Sequence, residues 1–130
     1  MEVSAARLHK PVKIPGPDHP ISVAPHAKRV RVKFNGVVVA DSSRTLVMHE
    51  GGYPLVFYIP RADVDGSLLV RTEHSTYCPY KGDASYFSIR VGERTSENAI
   101  WSYETPFDAV APIKEYLAFY AARVDSIEEI

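Results

Sequence analysis

The 130-residue sequence lacks most of the residues that build disulfides, metal sites or membrane spans. Cys78 is its single cysteine, which excludes an internal disulfide and a four-cysteine zinc site. No stretch approaches the roughly 18 apolar residues of a membrane span, and the N-terminus lacks the apolar core of a signal peptide. These absences predict a cytoplasmic protein.

The sequence also lacks a large excess of either positive or negative charge. The 15 Lys and Arg residues nearly balance the 16 Asp and Glu residues, for a net charge of −1. Such a chain has no overall field that attracts nucleic acid or an anionic membrane, and we predict neither as a partner. Glycine-rich phosphate-binding motifs and closely spaced histidine pairs are absent, so we predict no metal and no cofactor.

Proline is plentiful at one end of the chain. Five of the ten prolines fall within the first 25 residues. Proline fixes its own φ angle and has no backbone N–H to give to a sheet. We therefore predict an extended N-terminal arm over residues 1–27 and a single β-rich domain over residues 28–130.

The clearest element is a hairpin over residues 29–42, where apolar and basic side chains alternate as in a half-buried strand. The pair Asn35-Gly36 then tolerates the positive φ angles of a two-residue type I′ turn. That turn would set Val32 opposite Val39. The prediction is a hairpin with one apolar face.

Other strand-like runs follow, separated by turn residues. The segment 113–124 fits either a helix or a strand, and one or two short helical turns are expected near Pro60 and before Pro112. We predict an all-β class built of antiparallel hairpins. The further predicted strands cover residues 45–50, 53–60, 68–76, 84–92 and 99–103.

Several segments resemble one family. YIPRADV, TYCPYKGDASYFSIRVG and ENAIWSYETP are similar to domain of unknown function 427, a family that also carries a nominal nucleotidyltransferase label. The resemblance extends over about residues 19–125. It implies two small antiparallel sheets in a tent-like, Mss4-like arrangement, and it implies no particular activity.

Two functions associated with this resemblance have little support in the residues. Tent-like folds elsewhere bind zinc through paired cysteine knuckles, and Cys78 has no partner for such a site. Nucleotidyl transfer usually needs metals held by paired carboxylates. The one closely spaced aspartate pair, Asp63 and Asp65, precedes Gly66 in a segment typical of a turn. We therefore expect the fold without its zinc knuckles.

Cys78 is a candidate nucleophile. A thiol reacts as the thiolate, which a neighbouring positive charge favours. Lys81 follows three residues later across a turn, and His74 precedes by four residues. Cys78, His74 and Lys81 are therefore the candidate catalytic residues. The alternative is that Cys78 only fills space as a small apolar residue.

Cationic and tyrosine side chains flank the same central segments and suggest an anion site. Guanidinium and ammonium groups hold carboxylates or phosphates, while aromatic rings cover an apolar body. The alternative is a set of solvated surface charges. The candidate ligand-binding residues are Arg61, Arg71, Tyr77, Lys81 and Tyr86.

Three functions remain open on the sequence alone. One is binding of a small anionic metabolite near Arg61, Cys78 and Lys81. Another is a thiol-dependent enzyme that uses Cys78. The third is a structural or interaction domain, in which the aromatics around Trp101 serve as core or subunit contacts and free strand edges favour a homodimer.

Overall fold

The computed structural model describes residues 10–130, so the first nine residues of the predicted arm lie outside the described part. Short strands separated by turns dominate these residues, as the proline and glycine spacing predicts. The strands are β1 (Ile21–Pro25), β2 (Val30–Phe34), β3 (Val37–Ser42), β4 (Leu46–Glu50), β5 (Val56–Tyr58), β6 (Leu69–Cys78), β7 (Gly82–Val91), β8 (Arg94–Ser102), β9 (Ala118–Phe119) and β10 (Ser126–Glu129).

Helical structure in the described residues is confined to 3₁₀ turns. None of it is long and apolar enough to cross a membrane. The first turn starts directly after Pro60, whose fixed φ suits a helix start. The 3₁₀ turns are Arg61–Asp63, Gly66–Leu68, Asp108–Ile113 and Ala121–Arg123.

The strands form three antiparallel sheets, with the orders β1-β4-β5, β10-β2-β3 and β6-β7-β8-β9. The β-rich class is confirmed, and there are three sheets where the resemblance implied two. Each of the first two hairpins forms a sheet of its own and gains an outer strand from a distant segment. β10 pairs with β2, and β1, from the segment predicted as an arm, pairs with β4. The boundary between arm and domain stays a prediction.

The first hairpin forms with one change of register. Asn35 and Gly36 have φ angles of 49° and 75°, as a type I′ turn requires. An irregularity directly after Val32 then sets this residue opposite Ala40, so the predicted pairing with Val39 is wrong. A bulge of this kind adds a residue to one strand, which the alternation of side chains does not reveal.

Residues 113–124, for which the sequence allows either a helix or a strand, form neither as one continuous element. It contains the two-residue strand β9 and the 3₁₀ turn Ala121–Arg123. Just before β9, the Leu117 backbone exchanges two hydrogen bonds of 2.8 Å with Ile59. This bridge joins the end of β5 to β9.

The core consists of two hydrophobic clusters attached to the four-stranded sheet. The first contains side chains of β2, β3, β7 and β8, and the second contains side chains of β4, β5 and β7. Tyr86 belongs to the second cluster and its neighbour Phe87 to the first, because consecutive strand residues point to opposite faces. The four-stranded sheet therefore contributes side chains to both clusters and packs against the other two sheets through them.

Candidate functional site

An apolar cavity of about 690 Å³ lies where the three sheets meet. Its walls include Val56 and Phe57 of β5, Trp101 of β8, Phe119 of β9 and Ile127 of β10. Sites for small molecules commonly span about 300–1,000 Å³ and have mostly apolar walls. The cavity has the size and lining of such a site.

The loop between β4 and β5 forms the mouth of the cavity. Tyr53, Pro54 and Leu55 line it, although Tyr53 is 66% and Leu55 is 52% exposed. Large apolar side chains in such positions extend the apolar surface of the cavity to solvent. The apolar lining is therefore continuous with the exposed surface of this loop.

One wall of the cavity carries an ion pair. The Lys81 ammonium donates a hydrogen bond to Oε1 of Glu50, and both residues line the cavity. On the other carboxylate oxygen, His19 Nε2 lies 2.7 Å from Glu50 Oε2. The His19 ring in turn stacks on Tyr80, with 4.0 Å between centroids. The Glu50 carboxylate is thus held from two sides.

The β6–β7 turn holds Lys81 at this wall. Its backbone N–H donates to the Cys78 carbonyl at 3.2 Å, and its carbonyl accepts from the Phe107 N–H at 3.0 Å. Gly82 follows with a φ of 107°, a conformation that other residues rarely adopt. Two backbone hydrogen bonds and one glycine therefore fix the position from which the side chain extends.

The charges of this wall follow from the contacts. Burial raises the pKa of Glu50, but hydrogen bonds from Lys81 and His19 outweigh it and leave that pKa below its ordinary value. Glu50 is therefore an ionised acceptor at neutral pH. Burial also raises the pKa of Tyr58 and Tyr103, which remain neutral hydroxyls.

The predicted catalytic residues do not form one hydrogen-bonded group. Cys78 ends β6 and packs, partly buried, against the second core cluster. The His74 ring contacts the Tyr86 ring edge-on at 4.4 Å, while the Lys81 ammonium is directed to Glu50. Within residues 10–130, no hydrogen bond joins the Cys78 sulfur to His74 or Lys81. Their catalytic role stays a prediction.

Two of the predicted anion-binding residues come together at the surface, away from the cavity lining. Arg71 makes a bidentate contact with Glu104, at 2.6 and 3.1 Å, and Arg61 approaches the same carboxylate at 3.5 Å. Both guanidinium groups lie over the Phe87 ring, at 5.3 and 5.5 Å from its centroid. Hydrogen bonds from Arg71 are the main cause that lowers the pKa of Glu104 to about 2.

The two predicted tyrosines lie in other surroundings. The Tyr77 hydroxyl donates to the Pro11 carbonyl at 2.7 Å, which ties the N-terminal segment to β6. Tyr86 is buried, and its hydroxyl lies 2.9 Å from Thr76 Oγ1. Of the predicted ligand-binding residues, Lys81 is the one that lines the cavity. Their binding role stays a prediction.

Sequence reasoning missed Glu50 and the aromatic wall. Glu50 stands directly before Gly51-Gly52, and a charge beside a hairpin turn is ordinary for a solvated residue. The sequence predicts core or subunit contacts for Trp101, because aromatic residues usually serve there. No local pattern distinguishes a cavity wall from a core. No group of three or more His, Cys, Asp or Glu side chains suited to a metal occurs in the described chain.

The fold and the cavity define a small β-rich domain with an apolar cavity between its sheets. Residues 22–130 match the family described as a domain of unknown function (DUF427), and the chain belongs to that family. The resemblance seen in the sequence is thereby confirmed. A comparison with curated proteins found no match. The Mss4-like arrangement stays a prediction.

Proposed function

We propose that this domain binds a small molecule whose apolar, ring-containing body fills the cavity between the three sheets. The observation that carries the proposal is the 690 Å³ cavity with aromatic walls and a single ion pair, Glu50 and Lys81, on one side. A site of this kind gains affinity from its apolar walls and orientation from a few polar groups. Binding, without a reaction, is the function that these features support best.

The aromatic walls favour a ring in the ligand. Phe57, Trp101, Phe119 and Tyr120 all line the cavity, and the Trp101 and Tyr120 rings lie 4.5 Å apart at an interplanar angle of 45°. Aromatic groups prefer offset or edge-on contacts with other rings, worth roughly 0.5–1.5 kcal/mol beyond area burial. A flat apolar body therefore matches this lining better than a flexible chain does.

An anionic metabolite clamped by Arg61 and Lys81, as the sequence suggested, has less support. Arg61 lies with Arg71 on Glu104, whereas Lys81 is paired with Glu50. The two cations thus belong to separate groups, each with its own carboxylate. Lys81 and small-molecule binding therefore remain from the sequence prediction. The other residues of the proposed site are those that line the cavity.

The two alternatives rest on weaker observations. A thiol-dependent reaction at Cys78 would need a base or a cation on the sulfur, and the nearest candidates, His74 and Lys81, contact Tyr86 and Glu50 instead. A purely structural role gives no reason for an apolar cavity of this size. A homodimer stays a prediction; among the described residues, the outer strand β6 pairs with β7 alone, and such an edge suits pairing with a second copy.

Binding is tested with quinoline, a small bicyclic probe, because Trp101 is the single tryptophan of the chain and gives one indole N–H signal. Quinoline should shift that NMR signal in a saturable way. It should also raise the melting temperature, since a ligand that binds only the folded state stabilises it. An unchanged Trp101 signal at saturating probe would refute the proposal.

A matched pair of substitutions locates the site. Val56→Phe adds a ring to the cavity wall and should weaken quinoline binding at least about tenfold, or about 1.4 kcal/mol. Val70→Phe makes the same change on β6, where Val70 is 51% exposed and outside the cavity lining, and should leave binding unchanged. Equal binding by the two variants would mean that the probe sits elsewhere.

A further inference from the structure

The ion pair of the cavity presents a hydrogen-bond acceptor and a donor side by side. Lys81 has three N–H donors, of which Glu50 takes one, and the Glu50 carboxylate keeps lone pairs beyond those facing Lys81 and His19. The side chains of Lys81 and Glu50 are 11% and 15% exposed. Both side chains line the cavity and are largely shielded from water, so their remaining donors and lone pairs are available to a molecule that fills it.

The charges of this wall already cancel. Of the residues that line the cavity, Glu50 carries the negative charge and Lys81 the positive charge; His19 contacts the other carboxylate oxygen and is not part of the lining. A charged ligand would bring an additional charge into apolar surroundings without a partner of its own, which is costly. The ligand that fits is neutral and carries polar atoms of its own.

From these two features, and resting on the proposed function, we infer that the ligand is a planar heteroaromatic molecule with a cyclic amide edge. Such a lactam edge carries one N–H beside one C=O. The N–H donates to the Glu50 carboxylate and the C=O accepts from the Lys81 ammonium. The aromatic walls then cover the faces of the ring system, as they would cover any flat body.

Three related probes separate this inference from simple apolar binding. Carbostyril is a bicyclic lactam with both the N–H and the C=O. Its N-methyl derivative lacks the donor, and quinoline lacks the lactam and keeps the two rings. Binding is followed at the indole N–H signal of Trp101. Carbostyril should bind at least about tenfold more tightly than either of the other two, because each of them forfeits a hydrogen bond to a charged group.

Two lysine variants show whether the preference comes from the ion pair. Lys81→Met removes the donor and should reduce the preference of carbostyril over quinoline to less than about threefold, a change of about 0.7 kcal/mol or more. Lys114→Met makes the same change at an exposed position outside the cavity lining and should keep the full preference. Quinoline binding to both variants also shows that they are folded.

The outcomes distinguish this inference from the function on which it rests. If the three probes bind equally to the natural sequence, or if the preference survives in Lys81→Met, the lactam inference is wrong and binding in the cavity stands. If none of the three shifts the Trp101 signal, the proposed function fails as well.

Discussion

Two regions of the molecule have a similar arrangement of polar side chains but differ in their exposure to solvent. In each, one carboxylate lies between two nitrogen-bearing side chains: Glu50 between Lys81 and His19, and Glu104 between Arg71 and Arg61. The Lys81 side chain is 11% exposed, whereas that of Arg71 is 55% exposed. Glu50 and Lys81 face an apolar cavity, whereas Glu104 and Arg71 face solvent.

The difference teaches that burial, more than charge, decides what a cluster can do. Exposed ion pairs contribute roughly 0–1 kcal/mol to stability, because water competes for both partners. A buried charge that loses its partner costs several kcal/mol, because water no longer solvates it. The same difference applies to a ligand, which gains more from a hydrogen bond at Lys81 than from one at Arg71.

The largest expected effect comes from removing the buried carboxylate. Glu50→Leu should lower the free energy of unfolding by about 3 kcal/mol, because it strands the Lys81 ammonium and frees His19. Glu128→Leu removes a carboxylate that pairs with Lys33 at 3.3 Å on the exposed face of β10, and should lower the free energy of unfolding far less than Glu50→Leu does. Urea unfolding measures both. Equal costs would abolish the contrast between buried and exposed pairs.

The double variant Glu50→Leu, Lys81→Met tests why the single substitution lowers stability. If the single substitution is costly because it leaves an unpaired charge, removing the second charge should recover about 1 kcal/mol or more. If instead the loss comes from altered packing, the two changes should add. The recovery therefore identifies desolvated charge as the cause.

A smaller effect, with a defined pH dependence, is expected at the exposed cluster. Glu104→Gln should cost about 1 kcal/mol at neutral pH, because it removes a carboxylate held by Arg71 and Ser85. Hydrogen bonds from Arg71 lower the pKa of Glu104 from its ordinary 4.5 to about 2 in the folded state. The ionised carboxylate therefore stabilises the fold above pH 4.5, and this contribution is lost as the pH falls towards 2.

Acid unfolding of the two proteins gives the measurement. The difference in stability between the natural sequence and Glu104→Gln should be constant at neutral pH and should disappear as the pH falls from 4.5 to 2. A difference that persists at low pH would show that Glu104 stabilises the fold by packing and not by its charge.

Much of the fold follows from local features of the sequence. The alternation in β2, the Asn35-Gly36 turn and the 3₁₀ turn after Pro60 all depend on neighbouring residues, and the structure confirms them. The strands β1 and β10 depend on partners far away in the chain, at β4 and β2. Nothing local in a proline-rich segment or in a C-terminal tail identifies such a partner.

The candidate site was less predictable for the same reason. The sequence points to Lys81 through its spacing to Cys78, but the ion-pair partner of Lys81 is Glu50, 31 residues earlier. The cavity exists because side chains of three sheets leave a space between them, and no single segment contains that information. Arg61 and Arg71 meet at Glu104, a carboxylate that no local pattern of the sequence identifies as their partner.

The smallest expected effect distinguishes the two regions by their response to salt. Arg71→Gln should cost about 0.5 kcal/mol in dilute buffer, because one exposed guanidinium leaves Glu104 while Arg61 stays nearby. About 1 M salt shortens the screening distance to roughly 3 Å and should remove most of that cost. Arg90→Gln, an exposed change on β7, is the control and should be neutral at both salt concentrations.

The cost of Glu50→Leu should persist in salt, because ions do not screen charges inside the fold. A salt-independent cost for Arg71→Gln would place both clusters in one class, and burial would then not distinguish the Glu50–Lys81 pair from the exposed one.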